Sequence, residues 1–300
     1  MKIYIYKNGK SETFFEEETS EIISYGDVLR TVHFFCKFNS FKKIFILTNK
    51  KNKFFLKHFE LPNYIKITTR VRFKITKFKK NNIFLNLEKD IKSKEIFNIK
   101  NSNHLGFFYV NSSWVIKDYL NKIYSLQEWE EYCNKNSLIT WTSKLEHIIG
   151  KKIETNFFKN RNFIRNEIGL NWKVGKKWPA KQISKSNWES FAENLSSLYK
   201  VSWQKGFLNI SEYIHWVKGC KLIITSDSLG LHIAQYYQIP TIALFGPTSS
   251  ESIRDYKNIY IHKYDSFEFS EQKIDNVVNL FKGEVNLLKI NFEEIIKKLY

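Results

Sequence analysis

Three hundred residues carry 48 Lys and Arg against 30 Asp and Glu, a formal charge of +18, with 43% hydrophobic and 17% aromatic side chains. That length can bury the cores of two ordinary domains, and that apolar content excludes a disordered chain because it offsets the entropy of ordering. The charge would attract nucleic acid. Yet only six of the 48 basic residues are Arg and no zinc-finger, RRM-type or basic-zipper pattern occurs, so no nucleic acid is expected as a partner. A polyanionic substrate, or the anionic inner face of a membrane, is the more economical use of the charge.

In chain order, "KIYIY" (2–6) and "KIFILT" (43–48) read as strands. Between them Val28, Leu29, Val32, Phe35 and Cys36 recur at helical spacing, which makes a strand–helix–strand unit. Strand signals continue at 64–68, 70–78 and 82–88, with helix near 50–59, and this alternation predicts a largely parallel sheet covered on both faces. Residues 112–150 read mostly as helix, including 125–135, where Ser125 and Glu128 suit a capping box. The Lys-rich stretch 150–163 then separates two α/β domains, 1–155 and 156–300.

The second domain repeats the rhythm: strand from 166, helix 184–199, strand 199–203, helix 209–220, strand 221–226, helix 229–237 and strand 240–246. Cys36, Cys133 and Cys220 are odd in number and lack a CxxC pair, so they read as small buried side chains in a reducing compartment. No signal-peptide pattern and no run of about 18 apolar residues occurs, so a cytoplasmic protein is expected, with peripheral contact at the inner face of the membrane.

Chemistry gathers in "SDSLGLHIAQYYQIPTIALFGPTSS" (226–250). Asp227, Ser228 and Gly230 fall where a strand gives way to a helix, and Gly246, Pro247 and Thr248 fall just past the next strand. In an open parallel sheet both places lie at the carboxyl ends of the strands, where ligands bind and helix N–H groups attract anions. Ser226, Asp227 or Ser228 can cap one helix, and Thr248, Ser249 or Ser250 the next. Taken singly, a Ser-Asp-Ser is an ordinary cap, His232 an ordinary helix histidine and Gly246-Pro247-Thr248 an ordinary turn.

Together, Asp227, Ser228, His232, Phe245, Gly246, Pro247 and Thr248 resemble the C-terminal signature of glycosyltransferase family 9, the ADP-heptose:lipopolysaccharide heptosyltransferases and their relatives. "SYGDVLRT" (24–31), "NLEK" (86–89) and "GLNWKVGKKWPAKQISKSNW" (169–188) resemble further family segments in the family's order. The resemblance implies a GT-B fold, with two Rossmann-like domains facing across a cleft, the first binding acceptor and the second nucleotide sugar. The last helix (291–300) would return to the first domain.

It implies an inverting, metal-independent transfer of heptose from ADP-heptose to a hydroxyl of a surface glycan such as lipopolysaccharide core, with a glycan or glycolipid as acceptor and no cofactor. Asp27 matches the Gly-Asp loop and would be the catalytic base, its ordinary reading being a helix cap. Gly26, Arg30 and Glu88 fall on the acceptor side. Lys176 or Lys177, before Trp178-Pro179, would neutralise the diphosphate, and Asn171, Asp227, Ser228, Gly230, His232, Gly246, Pro247 and Thr248 would line the donor site. No Asp-x-Asp motif or metal-ligand spacing occurs. Two departures stand out: Gly230 is displaced by one position with the loop's Pro missing, and an insertion containing the acidic 16–21 stretch precedes Gly26-Asp27. A relative using another nucleotide sugar or a non-lipid acceptor, and a non-catalytic basic binding protein on the same fold, are the alternatives.

Overall fold

Apolar strands that point side chains to both faces require cover on both faces, and the alternating helices supply it. The computed structural model describes residues 1–11, 22–38, 40–69, 82–153, 166–175, 181–205, 209–246, 248–253, 256, 258–263 and 295. Two units result, Met1–Phe157 and Phe158–Tyr300.

In the first unit β1 (Lys2–Tyr6), β2 (Lys43–Thr48), β3 (Ile65–Thr69), β4 (Ile83–Asn86) and β5 (His104–Val110) are parallel, and β6 (Ser113–Lys117) and β7 (Ile123–Ser125) add an antiparallel edge in the order β3-β2-β1-β4-β5-β6-β7. Register is fixed by apolar side chains. Tyr4 lies opposite Phe45 and Phe84 and stacks on both rings, at 4.8 and 4.9 Å between centroids. Helix α1 (Tyr25–Phe35) buries Val28, Leu29, Val32 and Phe35, α2 (Lys50–Leu56) starts from Asn49, and α3 (Ile91–Ile96) starts from Asp90. Helix α4 (Leu126–Lys135) carries the expected Ser125–Glu128 capping box, and α5 (Trp141–Ile149) ends at Gly150 in the left-handed region, φ 69°.

The mostly helical reading of 112–150 is corrected at its start. Asn111 and Ser112 both have positive φ, 47° and 65°, which closes a tight hairpin between β5 and β6. Asp118 Oδ1 then accepts the N–H groups of Leu120 and Lys122 and turns the chain into β7. The proposed strand at 70–78 lies outside the described residues.

The second unit is a five-stranded parallel sheet, β12-β11-β10-β8-β9, of β8 (Asn166–Asn171), β9 (Val201–Trp203), β10 (Cys220–Ser226), β11 (Thr241–Phe245) and β12 (Ile259–Lys263). Helices α6 (Lys185–Ser196), α7 (Ile210–Lys218) and α8 (Leu229–Tyr236) supply the cover. Trp188, Phe191 and Leu195 of α6 pack on Ile168, Leu170, Leu222, Ile224, Ile242 and Leu244. Ile295, the described residue of the last segment, is 3% exposed within this same cluster. The three cysteines are buried thiols, and among the described residues no helix is long and apolar enough to cross a membrane.

Both strand orders reverse once. The first reverses between β1 and β4, as in a mononucleotide-binding Rossmann half, and the second between β8 and β10, as in flavodoxin-like sheets. Gly106 shows how closely β5 is packed on β4: φ is +88°, and a Cβ there would overlap the Asn86 carbonyl. Gly106→Ala therefore combines backbone strain with a backbone clash and should cost about 2 kcal/mol or more, read as a lowered midpoint in denaturant unfolding.

Candidate active site

Strand β8 ends at Asn171, which is fully buried. Its Nδ2 donates to Thr225 Oγ1 at 2.7 Å and to Ser228 Oγ at 2.9 Å, while its Oδ1 accepts the Tyr213 hydroxyl at 2.9 Å. One amide thus ties the ends of β8 and β10 to α7 and to the start of α8. Gly230 fits against the same amide, since a Cβ there would overlap Asn171 and stand 2.6 Å from the Tyr213 oxygen. The displaced glycine therefore has a packing reason.

Ser228 is the N-cap residue of α8, but its hydroxyl is bonded to Asn171 and makes no capping bond to the helix. The expected side-chain cap is absent there. Ser226 Oγ is buried with no hydrogen-bond partner among the described residues. Asp227 Oδ2 receives the Lys181 ammonium at 2.6 Å and the Thr248 hydroxyl at 2.8 Å. Burial raises the Asp227 carboxyl, but the Lys181 charge, the His232 ring and the bonds from Lys181 and Thr248 outweigh it and bring it down to about 2.

Thr248 thereby fastens the loop after β11 to the end of β10. Gly246 sits at that strand end, half-buried. Beyond Ser250 the described residues Glu251–Ile253 form a 3-10 turn, whose first N–H bonds to Ser249 Oγ at 3.2 Å. His232 Nδ1 lies 3.0 Å from the Tyr256 hydroxyl, with the two rings edge to face. The backbone leaving β8 is held by two amides: Gln204 Oε1 accepts from Lys173 N, and Gln182 bonds Val174 N and the Trp172 carbonyl. Lys176, Lys177 and Pro247 lie outside the described residues.

In the first unit Glu88, expected on the acceptor side, is 0% exposed. Its Oε1 accepts the N–H groups of Asn8 and Gly9 at 2.8 and 2.7 Å and pairs with Lys7 Nζ at 3.1 Å, and its Oε2 accepts from Ser11 N at 3.0 Å. It shapes the loop after β1 from within and does not present its carboxylate to a ligand. That loop in turn holds α1, because the Gly9 carbonyl accepts from Ser24 N at 2.8 Å.

Ser24, not Asp27, is the N-cap residue of α1, and its hydroxyl accepts from Asp27 N at 3.4 Å. Asp27 Oδ2 is buried with no hydrogen-bond partner among the described residues. A carboxylate freed from capping can accept a proton. Gly26 is buried beside it, and the Arg30 guanidinium stands 4.9 Å from the centre of the Trp141 ring.

Residues 172–276 match the family model described as "Glycosyltransferase family 9 (heptosyltransferase)". That matched stretch lies within the second unit. The chain is a glycosyltransferase of the GT-B fold class, and the fold likeness extends along its length. Escherichia coli heptosyltransferase WaaC with ADP is 12% identical, with all of both chains covered and a TM-score of 0.55. The family 9 glycosyltransferase from Veillonella parvula is 13% identical over 99% of this chain and 95% of that one, at a TM-score of 0.51. WaaC with ADP-2-deoxy-2-fluoro heptose is 12% identical over 88% and 93%, at 0.50. No curated protein matches by sequence.

Within the second unit, the expected donor residues Asn171, Asp227, Ser228, Gly230 and Thr248 meet at one reversal of strand order. Sequence reasoning missed Lys181, Gln182, Gln204, Tyr213 and Tyr256. Lys181 could have been found as the next cation along the same segment as Lys176 and Lys177, and Tyr213 as a tyrosine on the buried stripe of α7.

Because the Asp227 carboxyl is lower in the folded chain than the usual 3.8, its contribution is present above pH 4 and is lost as pH falls toward 2. The stability gap between wild type and Asp227→Asn should therefore be on the order of 2 kcal/mol at neutral pH and shrink between pH 4 and pH 2, measured by urea unfolding across that range. Glu88→Gln leaves the Lys7 ammonium buried without its carboxylate and should cost about 3–5 kcal/mol, measured the same way at pH 7.

Proposed function

We propose that this chain is an inverting heptosyltransferase that moves heptose from ADP-heptose to a hydroxyl of a surface glycan such as lipopolysaccharide core, without a divalent metal. The observation that carries this reading is the overlap of the family 9 match, residues 172–276, with the strand-end cluster of Asp227, Ser228, Gly230 and Thr248. The two WaaC structures, with ADP and with an ADP-heptose analogue, support adenine as the base and heptose as the sugar.

In the reaction the acceptor oxygen forms a bond to the anomeric carbon as its proton passes to Asp27. The bond from that carbon to the diphosphate oxygen breaks, and its electron pair leaves with the nucleoside diphosphate. Asp27 suits the role because Ser24 caps α1 in its place and its Oδ2 has no hydrogen-bond partner among the described residues. Direct displacement inverts the configuration, since retention through a covalent intermediate would need a second, nucleophilic carboxylate. Charge developing on the leaving phosphates would be met by the N–H groups at the start of α8 and by Lys176 or Lys177. The basic excess of the chain suits an acceptor carried on an anionic membrane face, and a cytoplasmic setting goes with that reading.

A family relative using another nucleotide sugar is the second reading, favoured by the Asp227-to-His232 loop, where Gly230 is packed on Asn171 and Tyr213. A thermal-shift panel of ADP, UDP, GDP, CDP and their sugars separates the two. A selective response to ADP and ADP-sugars supports the first, a preference for another nucleotide supports the second, and silence throughout would overturn both. Asp27→Asn should lower kcat by about 10²- to 10⁴-fold while leaving the dissociation constant of ADP unchanged, and a chelator should leave turnover unchanged.

A further inference from the structure

A diphosphate site beside Asp227 faces an electrostatic obstacle. The carboxylate stands one residue before the N-cap of α8, where unfilled N–H groups would otherwise favour an anion. It remains ionised at any working pH, with its carboxyl drawn down to about 2. A fixed negative charge there opposes the approach of phosphate.

Lys181 answers that charge. Its Nζ is 2.6 Å from Asp227 Oδ2, and the two side chains are only 11% and 17% exposed, so bulk salt screens them little. The sum of the pair is neutral, which returns the start of α8 to its partial positive charge. Two further observations leave polar groups near this spot for a ligand to meet. Ser226 Oγ, one residue away, is 0% exposed with no partner among the described residues, and Ser228 spends its hydroxyl on Asn171 and so leaves the helix N–H groups without a side-chain cap.

We propose that Lys181 is a positioning residue for the donor diphosphate whose ammonium cancels the Asp227 charge, so that α8 accepts the diphosphate while Asp227, held on Oδ2 by Lys181 and Thr248, offers its other oxygen to sugar hydroxyls. This rests on the reading of the chain as a nucleotide-sugar transferase. Lys176 and Lys177 would neutralise the phosphate, whereas Lys181 neutralises the protein's own carboxylate. That division of labour makes a distinctive prediction, because removing the carboxylate should repair the loss of the lysine.

The test is calorimetric binding of ADP, UDP and GDP to wild type, Lys181→Gln, Lys181→Ala, Asp227→Asn and the Lys181→Gln/Asp227→Asn double variant, with folding checked by circular dichroism. Lys181→Gln keeps most of the stem and a donor, so it stands in for Lys181→Ala if that variant does not fold. On the nucleotide that wild type prefers, loss of the lysine should raise Kd about tenfold, a modest through-space charge effect. The double variant should return to within about threefold of wild type, the sign of a coupled pair.

An unchanged Kd in the lysine variants would overturn the assignment of Lys181. A double variant as weak as Lys181→Gln would also overturn it, since the lysine would then be touching the phosphate itself. Wild type that binds none of the three nucleotides would instead overturn the functional reading on which the assignment stands.

Discussion

Parallel strands joined by right-handed crossovers leave a crevice wherever the strand order reverses, because the loops leaving the two neighbouring strands run to opposite faces of the sheet. In the first unit this happens between β1 and β4, and in the second between β8 and β10. The buried polar networks around Glu88 and Asn171 are responses to those two gaps. Strand ends beside a crevice leave backbone and side-chain polar groups that must find partners, and a buried donor left unmade costs about 1–3 kcal/mol.

The two units meet the same constraint in opposite ways. In the first, the chain fills the gap with its own anion: Glu88 accepts from Asn8, Gly9 and Ser11, and Lys7 completes the charge balance while donating to the Ser11 carbonyl at 2.7 Å. A phosphate arriving there would find those donors already occupied, which favours the second unit as the nucleotide side. The same loop reaches α1 through the Gly9–Ser24 bond, so the internal ion pair also sets where Asp27 stands. In the second unit the gap is spanned by the uncharged side chain of Asn171, and the charged pair of Asp227 and Lys181 lies above it, partly open.

Much of this was legible in the chain order because periodicity reports burial. The strands of the second unit are short β-branched runs between helices with one apolar stripe, and the strand-end positions of Asp227, Ser228 and Thr248 emerge from counting along them. The β5–β6 hairpin was hidden because its turn is Asn111-Ser112, with no glycine to mark the positive φ it needs. Which serine capped a helix was also hidden. Capping preference ranks Ser and Asp alike, and only the competing bonds of Asn171 and Lys181 decide that Ser228 and Asp227 look away from α8.

A charge of +18 was visible at once, yet it says little about where an anion binds, since exposed charges farther than about 8–10 Å are screened at ordinary salt. What matters at the strand ends is the balance among a few groups that water reaches only in part. Asp227 is one of 30 acidic residues in a strongly basic chain, but its position before α8 gives it more weight on phosphate binding than many surface lysines. The global field can bring a polyanion near. Whether it stays depends also on how this carboxylate is offset, and the Lys181 ammonium 2.6 Å away does so.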